Sequence, residues 1–230
     1  MLELYDLAGA EDDRRFSPFC WRTRLALAHK GLPVTTIPWR FTEKERIAPS
    51  GQGRVPVLVD NGRWINDSWA IATYLEETYP DRPSLFGGPA GLALSRFYNT
   101  WADVVLHGGL IRFSVLDIWN HVHDRDRDYF RRSREERFGR SLEMIVADRD
   151  KRLAGFAETL TPLRLTLRAQ PFLGGDKPLY ADYIVFGGFQ WVRCISDFAV
   201  LAADDPIAAW RGRMLGLFDG LAARAKGYPV

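Results

Sequence analysis

Hydrophobic and polar positions divide the chain at about residue 80. Leu2 to Leu7 is a short run of strand-forming residues, and the polar stretch AGAEDDRRF after it reads as a loop. Ser17 suits a helix cap through its hydroxyl, and Pro18 suits the first helical position, where its missing N–H costs nothing. Trp21, Leu25 and Ala28 then recur at helical spacing, with Leu27 widening the apolar face. His29 and Lys30 fall in the last turn, ahead of the stop signals Gly31 and Pro33. Val34 to Ile37 predicts a second strand, parallel to the first if the helix is a crossover. VPVLVDNGRWIN predicts a hairpin: Val57 to Val59, a turn at Asp60-Asn61-Gly62, and a return through Trp64 and Ile65. Asp67-Ser68 opens another helix, running to Tyr79.

This order predicts an α+β chain. A βαβ–ββα domain is expected over residues 1–82, and a linker over 83–90 within the Pro- and Gly-rich stretch YPDRPSLFGGPAG. An all-α helical bundle is expected over 91–230. Its helices are predicted at 91–119, 128–150, 151–169, 181–198 and 206–225, with Pro162 kinking or splitting the third.

Composition narrows the class. The 230 residues are 47% hydrophobic and 26% charged, an ordinary globular balance. A net charge of +2 gives no electrostatic case for nucleic acid or an anionic membrane as partner. No apolar run approaches the roughly 18 residues that span a bilayer; Tyr183 to Val192, among the longest, contains Gln190. The start, MLELYDLAGAEDD, lacks the basic-then-apolar order of a secretory signal. Two cysteines, Cys20 and Cys194, are too few for a disulfide framework, so a reducing, cytoplasmic setting is expected.

The most charged segment runs from His121 to Arg140. His121, His123 and Asp124 are metal-donor types, but closely spaced His and Asp on a polar loop are usually solvated, and no metal is expected. Acidic residues interleave with the arginines, which argues for a solvent-facing helix.

Three features of the first 80 residues carry the chemistry. Ser17-Pro18-Phe19-Cys20 has the spacing of a redox dithiol, with serine where the attacking thiol would stand. Val55-Pro56 opens a strand, and Asp67-Ser68 opens a helix. With these in order, the chain resembles the glutathione S-transferases over nearly its whole length. FSPFCWRTRLALAHKG, RVPVLVDNGRWINDSWAIATYLEETYPDRP and DRDYFRRSRE resemble in particular the bacterial lignin β-etherases and the fungal etherase-like, serine-type transferases.

The resemblance implies a thioredoxin-like first domain, glutathione as co-substrate, a homodimer, and attack of the glutathione thiolate on an aromatic or hydrophobic electrophile, β-aryl ethers included. Ser17 would hydrogen-bond the glutathione sulfur. A free thiol has a pKa of about 8.5, and lowering it by roughly two units is worth about 2.7 kcal/mol of preference for the thiolate. A hydroxyl donor at the positive end of a helix acts in that direction. Read alone, Ser17 is a helix cap, and the two roles are compatible.

Val55 would offer its backbone N–H and C=O to the cysteinyl part of glutathione, ahead of a cis Pro56. Asp67 and Ser68 would hold the γ-glutamyl end, Asp67 facing its ammonium and Ser68 its carboxylate. The glycyl carboxylate needs a cation, and Arg54 is the first candidate, with Arg40 or Gln52 assisting. Tyr5 is the alternative sulfur partner, by analogy with tyrosine-type classes. Phe16 and Phe19, which flank Ser17, and Trp101 and Phe113, on a helix that also carries Tyr98, Val105 and His107, are the candidate second-substrate wall.

Cys20 reads either as a small buried thiol or as a remnant redox group. Two alternative functions follow, a glutathione-dependent reductase using Cys20 and a glutathione- or ligand-binding protein without turnover. One departure from the family pattern is Leu179, which cannot cap the helix that carries Asp182.

Overall fold

The computed structural model describes residues 1–229. Four strands, β1 (Leu2–Leu7), β2 (Val34–Trp39), β3 (Val57–Asp60) and β4 (Arg63–Asn66), form one mixed sheet in the order β2-β1-β3-β4. Helix α1 (Pro18–His29) is the crossover that makes β2 parallel to β1, while β3 and β4 run antiparallel. Helix α2 (Ser68–Thr78) completes the βαβ–ββα order. The helical part holds α3 (Pro89–Trp101), α4 (His107–His121), α5 (Asp124–Phe138), α6 (Leu142–Val146), α7 (Arg149–Thr159), α8 (Thr161–Ala169), α9 (Tyr180–Ile195) and α10 (Pro206–Gly220). The α+β architecture is as expected.

Several boundaries differ for identifiable reasons. β2 continues through Pro38 to Trp39, because it is an edge strand and a missing donor is tolerated there. The hairpin turn is two residues, Asn61 (φ 47°) and Gly62 (φ 85°), with Asp60 still in β3. A short 3₁₀ segment, Lys44–Ser50, has no sequence periodicity to announce it. The helix expected at 91–119 is interrupted by a π-helical turn, Ala102–Leu106.

The helix expected at 128–150 is two helices. His123 starts α5 early by accepting the Arg125 N–H on Nδ1 (3.2 Å), Gly139 ends it in the left-handed region, and Ser141 caps α6. Pro162 does split its segment, standing in the first turn of α8 after the break at Leu160. The last helix keeps helical dihedrals only as far as Gly216, and Leu217 (φ −64°, ψ 150°) breaks it.

Helix α9 is buried on nearly every face, as a helix apolar all round must be. It packs along α1, and Gly187 makes this approach possible: a Cβ there would lie 2.5 Å from the Pro18 carbonyl oxygen. Where Leu179 cannot cap α9, Asp182 supplies the connection itself. Its carboxylate accepts the N–H groups of Leu173 (2.8 Å), Gly174 (3.0 Å) and Leu179 (3.0 Å), and the Trp210 indole N–H (2.9 Å).

The sheet unit is tied to the helices by buried charge. Arg22 on α1, fully buried, donates to Asn99 (2.9 Å) and Asp103 (2.7 Å). Helix α5 is not simply solvent-facing: Asp126 is fully buried and accepts the N–H groups of Phe41 (2.9 Å) and Thr42 (3.1 Å) and the Thr42 hydroxyl (2.7 Å). This contact holds α5 against the segment after β2, at the mouth of the site.

Candidate active site

The sheet register assembles the first half of the site. Val57 pairs with Tyr5 on one side and Asn66 on the other, so Val55-Pro56 lies between the end of β1 and the head of α2. Phe16 returns beside Leu7 through an N–H···O bond of 3.4 Å and delivers Ser17 to the head of α1. Ser17 is extended (φ −65°, ψ 126°), and its Oγ accepts the Cys20 N–H at 3.2 Å. It therefore caps α1, as read from the sequence, and it also lines a cavity of ≈ 390 Å³.

The Val55–Pro56 bond is cis, as the resemblance implied. Among the described residues, neither the N–H nor the C=O of Val55 bonds to another backbone group, which leaves both for an extended guest. Asp67 stands at φ 70°, ψ 130°, with Oδ1 accepting the N–H groups of Trp69 (2.9 Å) and Ala70 (3.0 Å). A non-glycine residue in that region costs about 1–3 kcal/mol and is characteristic of ligand clamps. Ser68 is buried, and its carbonyl accepts the Tyr180 hydroxyl at 2.7 Å, fixing the head of α2 to α9.

Ser17, Phe16, Phe19, Arg54 and Val55 all line the cavity; Asp67 and Ser68 lie outside its lining, at the adjacent helix head. Arg40 is committed elsewhere. Its guanidinium bonds the carbonyls of Gly9 (3.2 Å) and Ala10 (3.3 Å) and the Asp12 carboxylate (2.5 Å). Gln52 does not line the cavity either. Tyr5 stacks on Trp64 at 5.6 Å and is likewise absent from the wall.

The expected second-substrate wall is only half present. Phe113 is buried against Phe156 (5.2 Å) and Phe198 (5.7 Å), and Trp101, Tyr98 and Val105 do not line the cavity. The π-helical turn changes which face of this long helical run looks inward: Asp103, His107, Gly108 and Ile111 do so instead. Trp191 of α9 and Tyr129, Phe130, Arg134 and Arg137 of α5 close the far side. Phe130, Arg134 and Arg137 recur at i, i+4 and i+7, a helical face that the sequence displayed and that charge density obscured.

His107 is nearly buried, edge-on to Phe19 (5.3 Å) and Trp191 (5.8 Å). Gly188 gives it room, since a Cβ there would meet the ring at 3.1 Å. Burial, then the Arg22 charge, pushes its pKa well below the ordinary histidine value, so the imidazole is neutral.

Cys20 is fully buried, and burial followed by the Asp6 charge pushes its thiol well up, against an opposing bond from Ser17. A nucleophilic cysteine needs the reverse environment, so the reductase reading loses its residue. Burial pushes Cys194 up to about 12. Neither thiol should react with a maleimide in the folded protein, and both should react after denaturation, a result mass spectrometry reads directly.

The metal-donor types at 121–124 are used separately: His121 meets the Tyr228 hydroxyl at 3.1 Å, and His123 caps α5. Among the described residues, no group of three or more His, Cys, Asp or Glu is placed to hold a metal ion.

Comparison with known proteins agrees with this geometry. Residues 16–78 match the glutathione S-transferase N-terminal domain model, and residues 93–214 match the C-terminal one. A probable glutathione S-transferase of Oryza sativa subsp. japonica is 25% identical over 210 residues, 86% of this chain and 80% of that protein. A glutathione S-transferase of Ceriporiopsis subvermispora, solved in complex with glutathione, superposes with a TM-score of 0.80 at 27% identity, covering 95% of this chain and 96% of its own. A Phanerochaete chrysosporium glutathione transferase superposes at 0.77 with 25% identity, covering 100% of this chain and 98% of its own. With a thioredoxin-like sheet unit, a helical unit and both domain models in order, the chain belongs to the glutathione S-transferase family.

Proposed function

We propose that this chain binds glutathione along Val55, Asp67 and Ser68, holds its sulfur at the Ser17 hydroxyl as the thiolate, and directs it at an aromatic electrophile in the adjoining cavity. The observation that carries the reading is the position of Ser17, at the positive end of α1, in the cavity wall, beside the unused backbone groups of Val55. The thiol proton passes to solvent, the sulfur forms a bond to carbon, and the leaving group departs with the electron pair of the bond that breaks. Ser17 keeps its proton and donates it as a hydrogen bond. Arg54, exposed at the cavity mouth, suits the glycyl carboxylate.

The aromatic wall of Phe16, Phe19, Tyr129 and Trp191 supports an aryl second substrate, and β-aryl ethers are the narrower form of the proposal, in which a phenolate leaves. The test sets glutathione-dependent phenol release from a β-aryl ether beside conjugation of chlorodinitrobenzene. Turnover of either is expected. Glutathione binding with no turnover across such a panel would favour a binding protein and overturn the catalytic reading.

A homodimer belongs to the same proposal. Leu94 (66% exposed), Phe97 (66%) and Val104 (69%) leave large apolar side chains in solvent along α3 and the π-helical turn, suited to a second copy. No helix among the described residues is long and apolar enough to cross a membrane; a cytoplasmic setting remains part of the proposal.

A further inference from the structure

We infer that the second substrate carries an anionic group, a carboxylate or sulfonate on its aromatic ring, which Arg134 and Arg137 of α5 receive. The inference rests on the proposed transferase site for the reacting half of the substrate, and on the cavity's own charges for the rest.

Three arginines line the cavity, Arg54, Arg134 and Arg137, and none has a carboxylate within ion-pair distance among the described residues. The single lining carboxylate, Asp103, is already paired with buried Arg22 at 2.7 Å. Arg134 meets only the Ser133 hydroxyl (2.9 Å), and its guanidinium lies over the Phe130 ring (4.6 Å) and near Phe41 (5.6 Å). Burial, and then the like charges of Arg137 and Arg54, push its pKa below the ordinary arginine value. Arg134, half-buried against aromatic rings with no carboxylate partner, is costly to leave uncompensated, and Arg137 on the same helix face adds an exposed cation beside the cavity.

Glutathione takes one such cation at its glycyl end, for which Arg54 is in place. Two remain on the α5 wall, opposite the head of α1. Arg137 also borders a second cleft of ≈ 430 Å³ whose lining holds Arg112, Arg140 and Arg152 against one carboxylate, Asp148, so the excess of positive charge continues outward from the cavity. The aromatic walls accept the ring and the arginine pair accepts the anion. A neutral electrophile would leave that pair unanswered.

The test compares para-(bromomethyl)benzoate with its methyl ester at saturating glutathione, corrected for the uncatalysed rates. In both, the glutathione sulfur bonds to the benzylic carbon, bromide leaves with the carbon–bromine electron pair, and the thiol proton goes to solvent. The wild-type protein is expected to prefer the carboxylate by about tenfold in kcat/KM, the size of one or two charge-assisted hydrogen bonds. Arg134→Gln and Arg137→Gln should each reduce that preference severalfold, while Arg132→Gln, on the exposed face of the same helix, keeps it.

Arg137 is exposed, so its variant tests the point even if Arg134→Gln fails to fold. Calorimetry with unreactive para-methylbenzoate separates this inference from the catalytic one. Binding that is weakened in Arg137→Gln supports it even in a protein that turns over neither bromide. No preference in the wild type with no binding of para-methylbenzoate overturns it. So does a preference indifferent to both arginine changes, or a rise in the KM for glutathione alone, which would assign these arginines to the tripeptide.

Discussion

Ser17→Ala should lower kcat/KM for glutathione roughly 30-fold at neutral pH, because the thiolate fraction falls to that of a free thiol. The deficit should shrink as pH rises, since alkaline solution ionises the thiol without help. That pH dependence separates the chemical role from the capping role. Losing the Oγ acceptor for the Cys20 N–H costs about 1 kcal/mol of stability and does not alter a thiol titration. Ser17→Thr retains a hydroxyl and should recover part of the rate. Steady-state kinetics of the three proteins across the alkaline range reads the result.

Asp182→Ala carries the largest expected loss of stability. It strands four donors, the N–H groups of Leu173, Gly174 and Leu179 and the Trp210 indole, around a carboxylate that is itself fully buried. Burial pushes the Asp182 carboxyl up, and these donors oppose that shift, so the group serves as a buried acceptor hub. Stranded buried donors cost about 1–3 kcal/mol each before relaxation, and a net loss of about 4 kcal/mol is expected. For a chain of this length that lowers Tm by about 10 °C. Asp182→Asn keeps one carbonyl acceptor and should lose less. Differential scanning fluorimetry of both variants is sufficient to check the order.

Much of the sheet unit was legible because its signals are local. Ser17-Pro18 as cap and first turn, Asn61-Gly62 as hairpin turn, and Gly31 as helix stop each act within a few residues. The helical unit was legible in outline and displaced in detail. The π-helical turn at Ala102–Leu106 has no composition signal, yet it decides that His107 faces the cavity and Phe113 does not. Arg40 offered the right charge for glutathione, but the backbone carbonyls of Gly9 and Ala10 claim it. Which arginine is spent internally and which is free depends on tertiary contacts across 30 or more residues, beyond the reach of periodicity. Asp126 makes the same point: the charged segment read as solvated, while one of its carboxylates is buried as the clamp on Phe41 and Thr42.

The sulfur anion itself is the quantity on which the catalytic proposal turns. Ultraviolet thiolate absorbance of glutathione bound to the wild-type protein, followed against pH, should give a pKa about two units below that of the free thiol, and Ser17→Ala should return it toward about 8.5. A bound thiol that titrates like free glutathione, or one whose titration Ser17→Ala leaves in place, would contradict it.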